Sequence, residues 1–217
     1  MTGPSCRSWL LDQAAGYCLS SLEVVTPSAL HGETPCAGWD LEALLNHLGE
    51  SLSALCEGAR DGHIALDPPA GVGSDRPRGD PGGPAETTEP AGERVDDLRR
   101  VIGDLLRDWR RIPPSDNVFS ISNLPLDISL VESVAAIEIA VHGWDVFETC
   151  GVPGEIPEQL ALALLPIASS VIDEALRPML FAAPISIDAS AGPSDRLVAF
   201  LGRRPRDRDD FRTGTWS

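Results

Sequence analysis

Glu138 and His142 stand four residues apart in the segment SVAAIEIAVHGW, which is otherwise apolar enough to be a buried helix. On a helix this spacing puts both side chains on one face, one turn and about 6 Å apart along the axis. Such a pair can chelate a metal ion. The carboxylate is the more telling member, because an unpaired charge among Val, Ala and Ile costs several kcal/mol. A divalent cation would neutralise it and use the imidazole beside it. His47 offers a third ligand, since it lies among Leu44, Leu45, Leu48 and Leu52 and so belongs to the inward face of its own helix. Two His and one carboxylate leave coordination positions open, as reactive sites do and four-ligand structural zinc sites do not. Zinc is the first choice, and non-haem Fe(II) suits the same ligands. The plainer alternative is a metal-free core in which Glu138 and His142 hydrogen-bond each other.

These residues need elements to hold them. Trp9, Leu10, Ala14, Tyr17, Cys18 and Leu22 recur at three- and four-residue steps, which predicts a first helix from Cys6 to about Val25, ended by Pro27. The run from Asp40 to Arg60 predicts a second helix with Asp40 as N-cap. Periodicity returns from Val95 to Trp109 and stops at Pro113 and Pro114, and a short extended stretch follows over Val118 to Ile121. A fourth helix is expected from Leu130 to Cys150, with Gly151 and Pro153 as stop signals. Beyond it the pattern gives a helix from Pro157 to Leu180, a short strand in PISIDAS and a small helix from Asp195 to Leu201. Residues 61–92 are rich in Pro, Gly and charge and read as a flexible loop, and the charged stretch 203–217 reads as a frayed tail. The expected fold is therefore all-α: a single domain over 1–217, built as a four-helix bundle with a short extended segment and a small C-terminal extension.

Composition narrows the function. The chain has 217 residues, with 33 acidic side chains against 17 basic ones, for a formal charge of −16. That charge repels nucleic-acid phosphates and anionic membrane surfaces. No Lys occurs, which removes Schiff-base chemistry on a lysine amine. Five cysteines without paired spacing, and no basic start followed by a long apolar run, lead us to expect a reduced, cytoplasmic, soluble protein.

Two stretches carry a family resemblance. TPCAGWDLEALLNHLGE (34–50) and EIAVHGWDVFETCG (138–151) resemble the metal-binding domain of mycothiol-dependent maleylpyruvate isomerases, in the DinB-like superfamily of four-helix bundles. FAAPISIDASAGPSDRLVAFLGRRP (181–205) resembles the C-terminal end of actinobacterial metal-binding proteins of the same group. The family's ligand pattern, a His on the second helix and Glu-x3-His on a later one, matches His47, Glu138 and His142. The resemblance implies a metal that is typically zinc and, as cosubstrate, the thiol of mycothiol or a similar small molecule. Coordination to a dication stabilises the thiolate, the nucleophilic form of sulfur. Attack on an electrophilic small molecule would then give S-transfer, thiol exchange or thiol-assisted isomerisation, in detoxification or specialised metabolism. The isomerases carry a larger C-terminal domain that supplies a substrate-binding Arg, and the stretch after Gly151 is short for it, which favours transfer over maleylpyruvate isomerisation. Competing readings are a metal-dependent hydrolase on the same bundle and a non-enzymatic, metal-binding regulatory module.

Other residues take supporting places. Asp145, one turn beyond His142, could orient its imidazole from behind, and Glu50 shares the face of His47. Arg177 and Arg196 could face a substrate, and Cys36 could be a nucleophile or a fourth ligand. Trp39 and Trp144 are expected to pack the bundle, and His31 and His63 to sit exposed in loops. The exposed faces show no decisive stripe, so a homodimer is left open.

Overall fold

The computed structural model describes residues 8–64, 91–122, 124–172, 177, 182–188 and 190–205. Helix α1 spans Trp9–Leu22 and buries Leu11, Ala14, Ala15, Cys18 and Leu22. It ends before Val25, and Pro27 opens a 3₁₀ turn, Pro27–His31, whose Leu30 is buried. Helix α2, Leu41–Asp61, is started by Asp40, whose carboxylate accepts the Ala43 amide at 2.9 Å. It stops at Gly62 in the left-handed conformation, φ 69°, a geometry that glycine adopts without a Cβ penalty.

The boundaries expected for the 61–92 loop move at both ends. Asp61 still belongs to α2, and His63–Ile64 forms strand β1. Helix α3 begins at Ala91 and runs to Trp109, burying Val95, Leu98, Ile102, Leu105 and Trp109. Residues 65–90 lie outside the described residues. The extended stretch is larger than expected, because Val118–Ile121 (β2) is joined by Leu124–Asp127 (β3) in an antiparallel pair and by β1 in parallel. The fully buried Phe119 of β2 fills the space over Gly58, where a Cβ would stand 2.1 Å from its ring.

Helix α4 runs from Ile128 to Thr149 with Asp127 as its cap. It is the central element, with sixteen residues buried, and α1 packs along it more extensively than any other helix. Gly143 permits this close approach, since a Cβ there would lie 3.1 Å from Cys18 Cα and 3.2 Å from the Tyr17 ring. Helix α2 in turn packs on α3. Helix α5 spans Glu158–Val171 and stops at extended Ile172, short of the expected Leu180; residues 173–176 and 178–181 lie outside the described residues. The strand expected in PISIDAS does not form among the described residues, where Ile185 donates its amide to Ala199 instead of to a neighbouring strand. Helix α6, Pro193–Phe200, packs on α5. No helix among the described residues is long and apolar enough to cross a membrane. The fold is an all-α bundle with a small three-stranded appendage.

Candidate metal centre

Facing turns of α2 and α4 bring His47, Glu138 and His142 together, with one ligand atom from each inside a 4.8 Å group. His47 Nε2 stands 3.2 Å from Glu138 Oε1. Two ligands of one tetrahedral zinc are separated by roughly 3.3 Å, given metal–ligand distances near 2.05 Å, so this spacing suits a shared ion. The two imidazoles meet edge to face, with centroids 5.3 Å apart. Donor types and spacing therefore fit a divalent cation.

Glu138 is less enclosed than the sequence suggested. Its side chain is 32% exposed and that of His47 37%, whereas His142 is buried. The reason lies in the facing of α4, which turns Leu130, Val134 and Glu138 outward along one stripe. Burial alone does not force a cation onto this carboxylate. Burial still pulls the Glu138 carboxyl upward, but hydrogen bonds to His47 and Ser51 and the nearby imidazoles outweigh it and hold it below the usual range. The hydrogen bond to Glu138 raises His47 above the ordinary imidazole value; burial opposes this, and the charges of Glu138 and Glu50 reinforce it. Glu50 itself is exposed and acts on His47 through its charge.

Behind the open face lies a closed one. Asp145 is fully buried, and its Oδ2 accepts from His142 Nδ1 at 3.0 Å. Burial raises the Asp145 carboxyl, yet the Arg203 charge and the bond with His142 overcome that and leave it lowered. As a carboxylate it can only accept, so His142 carries its proton on Nδ1 and keeps the Nε2 lone pair free to ligate. Arg203 donates from Nε to Asp145 Oδ1 at 3.3 Å and from Nη2 to Oδ2 at 3.0 Å.

Several expectations are corrected here. The charged stretch 203–217 reads in sequence as a frayed tail, but Arg203 is buried and anchored, because the Asp145 charge needs a partner in the core; residues 206–217 lie outside the described residues. Arg177, read as a residue that could face a substrate, is enclosed by the C-terminal segment. It is buried, lies 4.6 Å over the Phe200 ring and donates to the Phe200 and Ala182 carbonyls, so it ties the C-terminal segment together. Arg196 is exposed on α6. Burial pushes the Cys36 thiol up to about 12, the Asp145 charge adds to this and Arg203 offsets part of it. Trp39 does not pack the interior: it is 36% exposed and tilts over His47 at a centroid distance of 4.8 Å, whereas Trp144 is buried. His31 and His63 are exposed, but in the 3₁₀ turn and in β1 instead of in loops.

Sequence reasoning missed Arg203 and the position of Trp39. The usable signal for Arg203 was Asp145 itself, a second carboxylate in an apolar helix that had no cation assigned to it. Neither any curated protein nor any solved structure gave a match in comparison with the chain. A family model for the mycothiol maleylpyruvate isomerase N-terminal domain matches residues 11–147. The match contains all three converging residues together with Trp39 and Asp145, and from it we conclude that the chain belongs to the mycothiol maleylpyruvate isomerase N-terminal domain family, of the DinB-like kind.

Proposed function

We propose that the protein is a metal-dependent thiol transferase that joins a small thiol of the mycothiol type to an electrophilic small molecule. The observation that carries this reading is the convergence of His47, Glu138 and His142 on one point with a solvent-open side. A divalent cation held there, zinc by preference, would supply the stabilisation that keeps a cosubstrate thiol ionised at neutral pH.

The chain's own residues then have defined tasks. His47 and His142 offer neutral imidazole lone pairs, and Glu138 offsets one unit of positive charge. Asp145 holds the His142 ring in one tautomer and one orientation, as the partners of ligating histidines commonly do. The exposed Trp39 ring borders the open side and gives a flat apolar wall against which a substrate can rest. No thiol of the protein is needed as nucleophile, which agrees with the upward push that burial gives the Cys36 thiol. The sulfur therefore comes from the cosubstrate.

The test is elemental analysis of the purified protein beside His47→Ala and Glu138→Ala, with each form titrated with mycothiol by calorimetry. The expected result is close to one divalent ion per chain, lost in both variants, and thiol binding only by the loaded protein. Metal without thiol binding would favour a hydrolase, in which the open position activates water, or a regulatory module. A metal-free protein grown in metal-replete medium would overturn the reading.

A further inference from the structure

A second group of potential ligands adjoins the first. Cys36, His142 and Asp145 also place one ligand atom each within 4.8 Å of one another, and His142 is common to both groups. A thiol, an imidazole and a carboxylate make a set that zinc, cobalt or cadmium accepts. An imidazole can serve two ions, one at each nitrogen. On composition alone the centre could thus be binuclear.

The geometry around Arg203 argues otherwise. Its Nη2 donates to Asp145 Oδ2 at 3.0 Å and also to Cys36 Sγ at 3.1 Å. Its Nε reaches Asp145 Oδ1 at 3.3 Å and its Nη1 reaches the Leu201 carbonyl at 3.0 Å. All three guanidinium nitrogens are engaged, two of them on the residues that would otherwise coordinate. Cys36 Sγ in turn stands 3.4 Å from Asp145 Oδ2, where its S–H can donate. The backbone is built to deliver the side chain here. Gly202 takes φ 82°, a Cβ on it would meet Ala182 Cβ at 2.7 Å, and the Arg203 amide is fixed to the Val198 carbonyl at 2.9 Å. This segment lies outside the residues matched by the family model.

We infer that Arg203 fills the second cation position with its guanidinium, so that the centre holds a single metal ion and Cys36 stays out of the coordination sphere. This rests on the proposed metal site at His47, Glu138 and His142. Arg203 is a positioning residue in this role: it fixes Asp145, and Asp145 fixes His142. The charge balance is consistent, since one carboxylate, one guanidinium and a neutral thiol sum to zero. If a dication replaced the guanidinium, the Cys36 S–H and His142 Nδ1–H bonds would both break, a sulfur–metal and a nitrogen–metal bond would form and two protons would leave to solvent. The arginine side chain makes that exchange unnecessary.

The experiment is titration of the full, metal-stripped chain with Co²⁺, read by elemental analysis and by near-ultraviolet absorption, where thiolate-to-cobalt charge transfer shows. Wild type is expected to take one equivalent with no thiolate band, and Cys36→Ser to give the same spectrum. Arg203→Lys, which keeps the charge, is expected to behave likewise. Arg203→Met should take a second equivalent and gain a thiolate band that disappears in Arg203→Met/Cys36→Ser. One equivalent and no band in folded Arg203→Met would overturn the inference while leaving the proposed metal site standing. A wild-type thiolate band removed by Cys36→Ser would overturn it too, and this comparison stays decisive if Arg203→Met does not fold. Wild type that takes up no cobalt would overturn the proposed metal site itself, and the inference with it.

Discussion

At the scale of single residues, the metal-free site is held by an ion pair whose two members shift in opposite directions. His47 sits above its ordinary value of 6.5 and Glu138 below its ordinary 4.5. The histidine's contribution to stability is therefore complete below pH 6.5 and is lost as pH rises through its raised folded value. That of the carboxylate is complete above pH 4.5 and is lost as pH falls through its lowered folded value. In the chelated protein the pair is expected to stabilise most between 4.5 and 6.5, and the difference in melting temperature between wild type and Glu138→Gln across a pH series checks this. Metal binding runs the other way, because a protonated His47 cannot ligate. Zinc affinity, measured with a competing chelator, should fall as pH drops through the raised His47 value. Asp145→Asn gives a separate test: it keeps the shape but removes the charge that holds His142 and Arg203. Zinc affinity should drop by about 10–100-fold, and unchanged affinity would show that His142 needs no such support.

At the scale of elements, α4 explains both what was legible and what was not. Glu138 and His142 could be read because helical periodicity turns a four-residue spacing into one face, and His47 because its Leu neighbours mark the inner side of α2. Asp40 was readable as the cap of α2 for the same local reason, and Asp40→Ala is expected to cost about 1 kcal/mol in urea denaturation. What periodicity could not show is which stripe of α4 faces solvent. That depends on where α1 packs, and α1 approaches through Gly143, so Glu138 emerges half-exposed. Arg203 was invisible for a different reason, since its partner lies 58 residues away and nothing local distinguishes it from the arginines that follow. Trp39 follows the left-handed Gly38, and only that turn puts its ring over His47. The turn before Arg203 can be tested in the same spirit. Gly202→Ala would force a side chain into φ 82° against Ala182, which should lower the melting temperature and weaken zinc binding together.

At the scale of the whole molecule, the bundle joins helices that the chain separates widely, and a bound ion would clamp α2 to α4. An ion that binds only the folded state adds stability in proportion to the logarithm of its excess, about 2.7 kcal/mol at a hundredfold excess over Kd. Addition of a strong chelator should therefore lower the melting temperature of wild type and leave His47→Ala unchanged. Equal melting with and without chelator in wild type would favour the metal-free core, in which Glu138 bonds a histidine and no ion contributes. The acidic surface carries no part of this argument, although its formal charge of −16 raises the local concentration of cations around the fold.

The long separation between Arg203 and Asp145 also sets an order of events during synthesis. The three converging residues leave the ribosome before Asp145, and Asp145 precedes the arginine that pairs with it by 58 residues. At about 5–20 residues per second that interval is roughly 3–12 s. Until then Cys36 and Asp145 have no Arg203 guanidinium to pair with. A chain cut before residue 203 would lack the guanidinium, and the Asp145 carboxylate would lose the two hydrogen bonds that Arg203 donates to it.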